Sequence, residues 1–299
     1  MTTVKVTVPA TTANLGPGFD CLGMALGLHN EVTFTETDSG LTVVVQGEGA
    51  GKISADSGNL VIRSAEYLFH HVGRRPSGMK VVQENNIPVG SGLGSSASAV
   101  LAGLLGANAL MGEPLSRSDI LTLAVEIEGH PDNVAPALFG GLVLAVQENG
   151  RSLIEPISVP DMTVVIVLPE FNLPTADARG ALPEEVPMAD AIFNIGRMGL
   201  LVRALADGDY ERLASAMVDR LHQPYRLPLI PGMPEAFTAV REAGAAAVAL
   251  SGAGPSLIAF APDNHEAIAQ AAEAAFAQAG LPIRHWLLPV DRTGSQIFL

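Results

Sequence analysis

The chain has 299 residues and a formal net charge of −14, with 48% apolar and 16% charged residues. Such a composition builds globular cores, offers no run of about 18 apolar residues for a membrane helix, and lacks the clustered Lys and Arg that a nucleic-acid partner requires. The single cysteine, Cys21, excludes an internal disulfide and a cysteine-based zinc site. The opening MTTVKVTVPATTAN has no basic start followed by an apolar core, so a cytoplasmic location is expected, without a nucleic-acid or membrane partner.

In chain order, residues 4–8 alternate as a strand, and residues 31–36 and 41–46 read as a hairpin turning at Asp38-Ser39-Gly40. Residues 59–71 read as a helix capped by Asn59, and 79–84 as a further strand. From 94 to 111 a run of Ala, Leu and Val predicts a buried helix. Ser118 is the expected cap of the next helix, which ends near 128, and 141–146 is strand-like. A second region opens near Asp161 with a buried strand over 162–169, then a loop over 172–187. Helices follow at 189–206, 210–219 and 234–243, a strand at 245–250, the turn SGAGPS, a strand at 256–261, a helix at 264–279 and a last strand near 284–288. This order predicts an α+β chain, its second half an antiparallel sheet with helices on one face, and a boundary between residues 150 and 160.

The segment NIPVGSGLGSSASAV, residues 86–100, is too apolar on its far side for a linker. Gly90, Gly92 and Gly94 permit positive φ and close approach of backbone to a ligand. Ser95, Ser96 and Ser98 fall where the buried helix begins, and a helix N-terminus preceded by glycines suits an anion. The plainer alternative is an ordinary loop with serine caps. A Walker loop is excluded because no lysine follows Lys80, and the spacing is not Gly-x-Gly-x-x-Gly.

Residues 88–98, PVGSGLGSSAS, resemble the phosphate-binding motif Pro-x-x-x-Gly-Leu-Gly-Ser-Ser-Ala of the galactokinase, homoserine kinase, mevalonate kinase and phosphomevalonate kinase (GHMP kinase) family, matching at Pro88, Gly92, Leu93, Gly94, Ser95, Ser96 and Ala97. Within it, PATTANLGPGFD (residues 9–20), EGHPDNVAPA (128–137) and SGAGPS (251–256) are similar to signatures of the homoserine kinase group. The resemblance implies a two-domain GHMP kinase fold, with an N-terminal ribosomal-protein-S5-like, ATP-binding domain over 1–155 and a C-terminal ferredoxin-like α/β sandwich over 156–299. It implies transfer of phosphate from ATP, with Mg²⁺, to the side-chain hydroxyl of L-homoserine on the way to threonine, and a possible homodimer.

The resemblance also assigns residues. Pro88, Val89, Gly90, Ser91, Gly92, Leu93, Gly94, Ser95, Ser96, Ala97 and Ser98 would form the ATP cradle. Ser95 or Ser96 with Glu126 would hold the metal, and Glu128 competes with Glu126 because the following segment is short. Arg179 and Arg226 align with arginines that grip the substrate carboxylate, for which a planar guanidinium is well suited; taken singly, each is also an ordinary surface arginine. Asp20 suits the ammonium, Asn14 offers its amide, and His130, Thr175 and Gly252 complete the substrate set. Asp132 and Asn133 would flank the reacting hydroxyl. Asp132 either orients it or takes its proton, whereas an amide cannot be a base. His222, one helical turn before Arg226, is a further candidate for the pocket wall. Two other readings stay open: a kinase of the same family acting on mevalonate, a sugar or a methylerythritol derivative, and a sensor that has lost turnover. No Gly-Glu-His near the N-terminus counts against the sugar and mevalonate kinases, and two arginines with Asp20 favour an amino acid.

Overall fold

The computed structural model describes residues 2–299. The first two strands, β1 (Thr3–Asn14) and β2 (Gly18–Thr37), form a long antiparallel hairpin. Next come β3 (Gly40–Gly47), α1 (Leu60–Val72) and β4 (Gly78–Asn85). The expected hairpin of β2 with β3 does not form. β4 inserts between them, antiparallel to β2 and parallel to β3. The Asp38–Gly40 turn therefore reverses the chain across a third strand. Gly78 seats β4 against that turn, where a Cβ would fall 2.3 Å from the Ser39 carbonyl carbon.

Asn59 caps α1, its Oδ1 accepting from Val61 N at 2.9 Å, as its place before an apolar run predicts. Helix α2 (Ser95–Leu110) is buried almost all round. Helix α3 (Arg117–Glu128) is capped by Ser116 rather than Ser118, through a capping box with Asp119. The box needs an acceptor three residues on, which Ser116 has and Ser118 lacks. Helix α4 (Pro131–Phe139) leads into the hairpin β5 (Leu142–Glu148) and β6 (Arg151–Ile157), which joins the sheet along residues 22–24 of β2.

The second sheet holds β7 (Thr163–Pro169), β8 (Ala247–Leu250), β9 (Leu257–Phe260) and β10 (Ile283–Pro289) in the antiparallel order β10-β7-β9-β8. Between β7 and β8 run α5 (Thr175–Gly180), α6 (Met188–Asp207), α7 (Tyr210–Ala216), α8 (Gln223–Arg226) and α9 (Met233–Glu242), and α10 (His265–Gln278) joins β9 to β10. This sheet is covered on both faces, not one. Val165 and Val167 of β7 meet α9 and α10, while the alternate Val164 and Ile166 meet α6, α7 and Ala10, Leu22 and Met24 of the first sheet. A core thus runs between the two sheets. A last strand, β11 (Gln296–Phe298), pairs with β1, so the chain end returns to the first sheet, and β6 runs across residue 155. Among the described residues no helix is long and apolar enough to cross a membrane.

Candidate active site

Between the sheets lies a cavity of about 160 Å³. It is lined from the first sheet by Asn14 and Asp20, from the glycine-serine loop by residues 90–92 and 94–97, and from the first turn of α4 by Asp132 and Asn133. Glu128, His130, Thr175, Arg179, Arg226, Gly252 and Ala253 complete it. Residues spread over the whole chain therefore meet in one place.

The loop is braced on several sides. Gly90, Gly92 and Gly94 all have positive φ. A Cβ on Gly92 would sit 2.3 Å from Ser251 O, and one on Gly94 1.9 Å from Thr11 Oγ1. Thr11 N donates to Leu93 O at 3.1 Å, Ser251 Oγ to Gly92 O at 2.7 Å, and Ser256 N to Ser91 O at 3.2 Å. Asn30 Oδ1 accepts from the amides of Asn86 and Ile87 ahead of the loop. The serines divide their work. Ser91 Oγ donates to Pro88 O, and Ser98, fully buried, accepts from Asn30 Nδ2, so both hydroxyls are spent inside the protein. Leu93 points into the core and Val89 is 57% exposed; these two, with Pro88 and Ser98, do not line the cavity. What remains facing it are the first amides of α2 and the hydroxyls of Ser95 and Ser96.

The two candidate metal carboxylates separate. Glu126 turns outward, its Oε2 accepting from Tyr67 at 2.7 Å, and does not reach the cavity. Glu128, two residues on, lines the cavity and accepts from Ser96 Oγ at 2.5 Å. A helix turns 100° per residue, so the two side chains of α3 face nearly opposite ways. Burial raises the Glu128 carboxyl above its ordinary value, and the Ser96 hydrogen bond offsets part of that shift. Ser96 and Glu128 together are the hard oxygen donors that a Mg²⁺ keeping several waters would accept. Among the described residues no group of three His, Cys, Asp or Glu has metal-cage geometry.

At the floor, Thr11 Oγ1 donates to Asn133 Oδ1 at 2.8 Å, which directs the Asn133 amide nitrogen toward Asp132 Oδ1 at 3.3 Å. His130 Nδ1 lies 3.2 Å from the same carboxylate oxygen, without hydrogen-bond alignment. The Asp132 carboxylate holds the His130 imidazole above its ordinary pKa against the opposing effect of burial. Asp132 itself is buried. Cys21, near Asp132 and Asp20, has its thiol pushed up to about 11 by burial and by those two charges.

The charged wall holds a couple and a single cation. Arg179 grips Asp20 in a two-pronged pair at 2.8 and 2.9 Å, so two residues assigned to opposite substrate charges bind each other. Asp20 and Asn14 both have positive φ (57° and 70°), a strained backbone held by Asn14 Oδ1 on Asp20 N and Asn14 Nδ2 on Gly252 O. Arg226 is 1% exposed, and among the described residues no carboxylate stands within ion-pairing distance of it. It makes three long hydrogen bonds, to Ala178 O (3.2 Å), His222 Nδ1 (3.3 Å) and Gly252 O (3.5 Å), and lies over the Phe19 ring. Burial and the nearby Arg179 pull its pKa down. His222 stands behind Arg226 and does not line the cavity.

Sequence reading missed Thr11 and Ala253, and it missed a second cavity. That cavity, of about 290 Å³, shares Gly90, Ser95 and Ser96 with the first and is otherwise mostly apolar, with Asn30, Asn59, Gln83, Asn85 and Ser98 as polar exceptions. Its walls come from β2, α1, β4 and α2, so no single segment carries its signal.

A glycine loop opening onto the N-terminus of α2, set between an S5-like and a ferredoxin-like unit, is the anion-binding geometry of a phosphate-handling site. The chain belongs to the GHMP kinase family: the family's N-terminal domain matches residues 59–141 and its C-terminal domain residues 201–279. It is 48% identical to the homoserine kinase of Moorella thermoacetica over 92% of this chain and 93% of that one, and 47% identical to that of Synechococcus over 98% and 97%. The crystal structure of homoserine kinase from Cytophaga hutchinsonii superposes with a TM-score of 0.90 at 31% identity, covering 99% and 97% of the two chains. A mevalonate kinase from L. major, at 20% identity and a TM-score of 0.75 over 96% of each chain, shares the fold.

Proposed function

We propose that the chain transfers the terminal phosphoryl group of ATP to the side-chain hydroxyl of L-homoserine, forming O-phospho-L-homoserine and ADP. The observation that carries this reading is Arg226, a buried guanidinium on the cavity wall with no carboxylate of its own. Leaving such a charge unpaired costs several kcal/mol, roughly, which an anionic substrate group would offset. Arg179 and Asp20 form a couple complementary to a zwitterion, with Asp20 facing the ammonium and the two arginines the carboxylate. Mevalonate and galactose carry no ammonium for Asp20. A volume of about 160 Å³ fits a small amino acid.

The apolar cavity beside it suits the nucleoside of ATP, and the shared Gly90, Ser95 and Ser96 lie where a triphosphate would bridge the two. The amides and dipole of α2 would neutralise the phosphate oxygens. Ser95, Ser96 and Glu128 would hold Mg²⁺, whose chemistry when bound is to neutralise triphosphate charge. Glu126 is not needed for this. Asp132 and Asn133 would orient the acceptor hydroxyl, and Asp132 would take its proton late, as the new P–O bond forms and the bond to ADP breaks. An alcohol is a weak acid and the transition state is loose, so positioning and electrostatics supply most of the acceleration.

The test is ADP release with L-homoserine, L-serine, mevalonate and galactose, each with and without Mg²⁺. Turnover is expected with L-homoserine and Mg²⁺. Its absence overturns the proposal.

A further inference from the structure

Behind the cavity wall, Arg226 is backed by a buried polar network that the proposed chemistry does not otherwise use: Asn194 on α6, Asp219 in the α7–α8 connection, and His222 and Gln223 around α8. Asp219 is its anchor. Its Oδ2 accepts from the amides of His222 (3.0 Å) and Gln223 (2.7 Å), and its Oδ1 from Leu221 N and Asn194 Nδ2. The backbone of His222 is thereby held. Its ring stacks on Phe19 at 5.0 Å and 18° between planes.

The two ring nitrogens have partners of opposite demand. Nε2 lies 2.9 Å from Gly16 O, which can only accept, and Nδ1 lies 3.3 Å from Arg226 Nη1, which can only donate. Both contacts are met by one form alone, the neutral ring with its proton on Nε2. Burial, pulling the imidazole pKa down, favours the same form. The ring thus ties the turn between β1 and β2, which carries Asn14 and Asp20, to the guanidinium on α8. Arg226 Nε is taken by Ala178 O and Nη1 by His222 Nδ1 and, at 3.5 Å, by Gly252 O, whereas Nη2 has no protein partner among the described residues.

We propose that His222 is a positioning residue for the acceptor's carboxylate, its bare Nδ1 fixing the Arg226 fork so that Nη2 faces the cavity. This rests on the reading of the substrate as an amino acid and adds the element that orients its principal cation.

Two substitutions separate the ring's contacts. In His222→Gln the terminal amide can still donate to Gly16 O but offers nothing at the Nδ1 position, and in His222→Asn a shorter amide can return an acceptor there. With the full chain, His222→Gln is expected to raise the KM for L-homoserine about tenfold, the scale of one hydrogen bond to a charged group. The KM for ATP should stay within about threefold, and His222→Asn should recover most of the loss. On 3-aminopropan-1-ol, which keeps the ammonium and hydroxyl but lacks the carboxylate, His222→Gln and wild type should match. A His222→Gln that alters both substrates and ATP alike overturns the proposal, because that is the mark of a merely structural residue. NMR of the unsubstituted enzyme with isotope-labelled histidine reads the tautomer directly, and an Nδ1-protonated or charged His222 overturns it however the variants fold. If wild type does not turn over L-homoserine, the substrate reading fails. If it does and His222→Gln leaves that KM unchanged, only the positioning role fails.

Discussion

Arg226→Met separates the cost of the site from its use. Arg226 is 1% exposed and its three protein hydrogen bonds, at 3.2, 3.3 and 3.5 Å, are long for a charged donor. Desolvating an ion costs several kcal/mol, roughly, and those bonds return only part of it. Methionine fills similar space without the charge, though Ala178 O and His222 Nδ1 each lose a partner while Gly252 O keeps Asn14. These opposing changes leave folding stability within about 1–2 kcal/mol of wild type, with a gain favoured. Binding has no such cancellation. A carboxylate in a two-pronged grip makes two charge-assisted hydrogen bonds of about 1.5–3 kcal/mol each. Their loss should raise the KM for L-homoserine by about two to four orders of magnitude. Arg226 does not line the second cavity, so the KM for ATP should change less than about threefold. A coupled ADP-release assay over both substrates, with a thermal melt of the same samples, reads both effects. Equal rises in the two KM values, or a melt lowered by more than about 5 °C, would refute the reasoning.

Other perturbations probe the remaining parts. Glu128→Gln should raise the Mg²⁺ concentration for half-maximal rate by at least about tenfold, whereas Glu126→Gln, facing Tyr67 outside the cavity, should leave it unchanged; the reverse ranking in a Mg²⁺ titration sinks the choice of Glu128. Asp132→Asn should slow turnover by about 10²–10⁴ with the KM for L-homoserine nearly constant, and a near-normal kcat removes Asp132 from the chemistry. Asp291 tests electrostatics away from the site. Its side chain is 9% exposed, and although burial opposes it, hydrogen bonds from His29 and the amides of Gly294 and Thr293 hold its pKa below the ordinary 3.8. A carboxylate with a depressed native pKa contributes stability that is present above its unfolded value and lost as pH falls through the native one. Asp291→Asn should therefore lower the melting temperature at pH 7, with the gap to wild type closing below about pH 4. A gap independent of pH would mean the loss is one of packing.

The features legible along the chain were those whose cause is local. The glycine loop and the helix it opens could be read because positive φ at three glycines and free amides at a helix start are properties of consecutive residues, and Asn59 capped α1 because a cap needs only the residues after it. The buried α2 followed from its unbroken apolar run. Non-local pairing left no such mark. Nothing in residues 31–46 says that β4 will enter between β2 and β3, since any partner of matching pattern satisfies both edges. The strand at 296–298 is too short to announce itself and exists because β1 offers it an edge. Glu126 and Glu128 are equivalent acids in a list, and only the phase of α3 against Ser96 and Tyr67 told them apart. Arg179 and Asp20, 159 residues apart, were assigned separately to a ligand and found each other instead. The sequence by itself determined the chemistry available: an anion cradle without lysine, two arginines, and an aspartate-asparagine pair. The tertiary structure alone decided how that chemistry is disposed. Burial strips water from Arg226 and makes its charge demand an anion, the meeting of the two sheets creates both cavities, and His222 acquires a role only because Gly16 and Arg226 are brought to opposite sides of its ring.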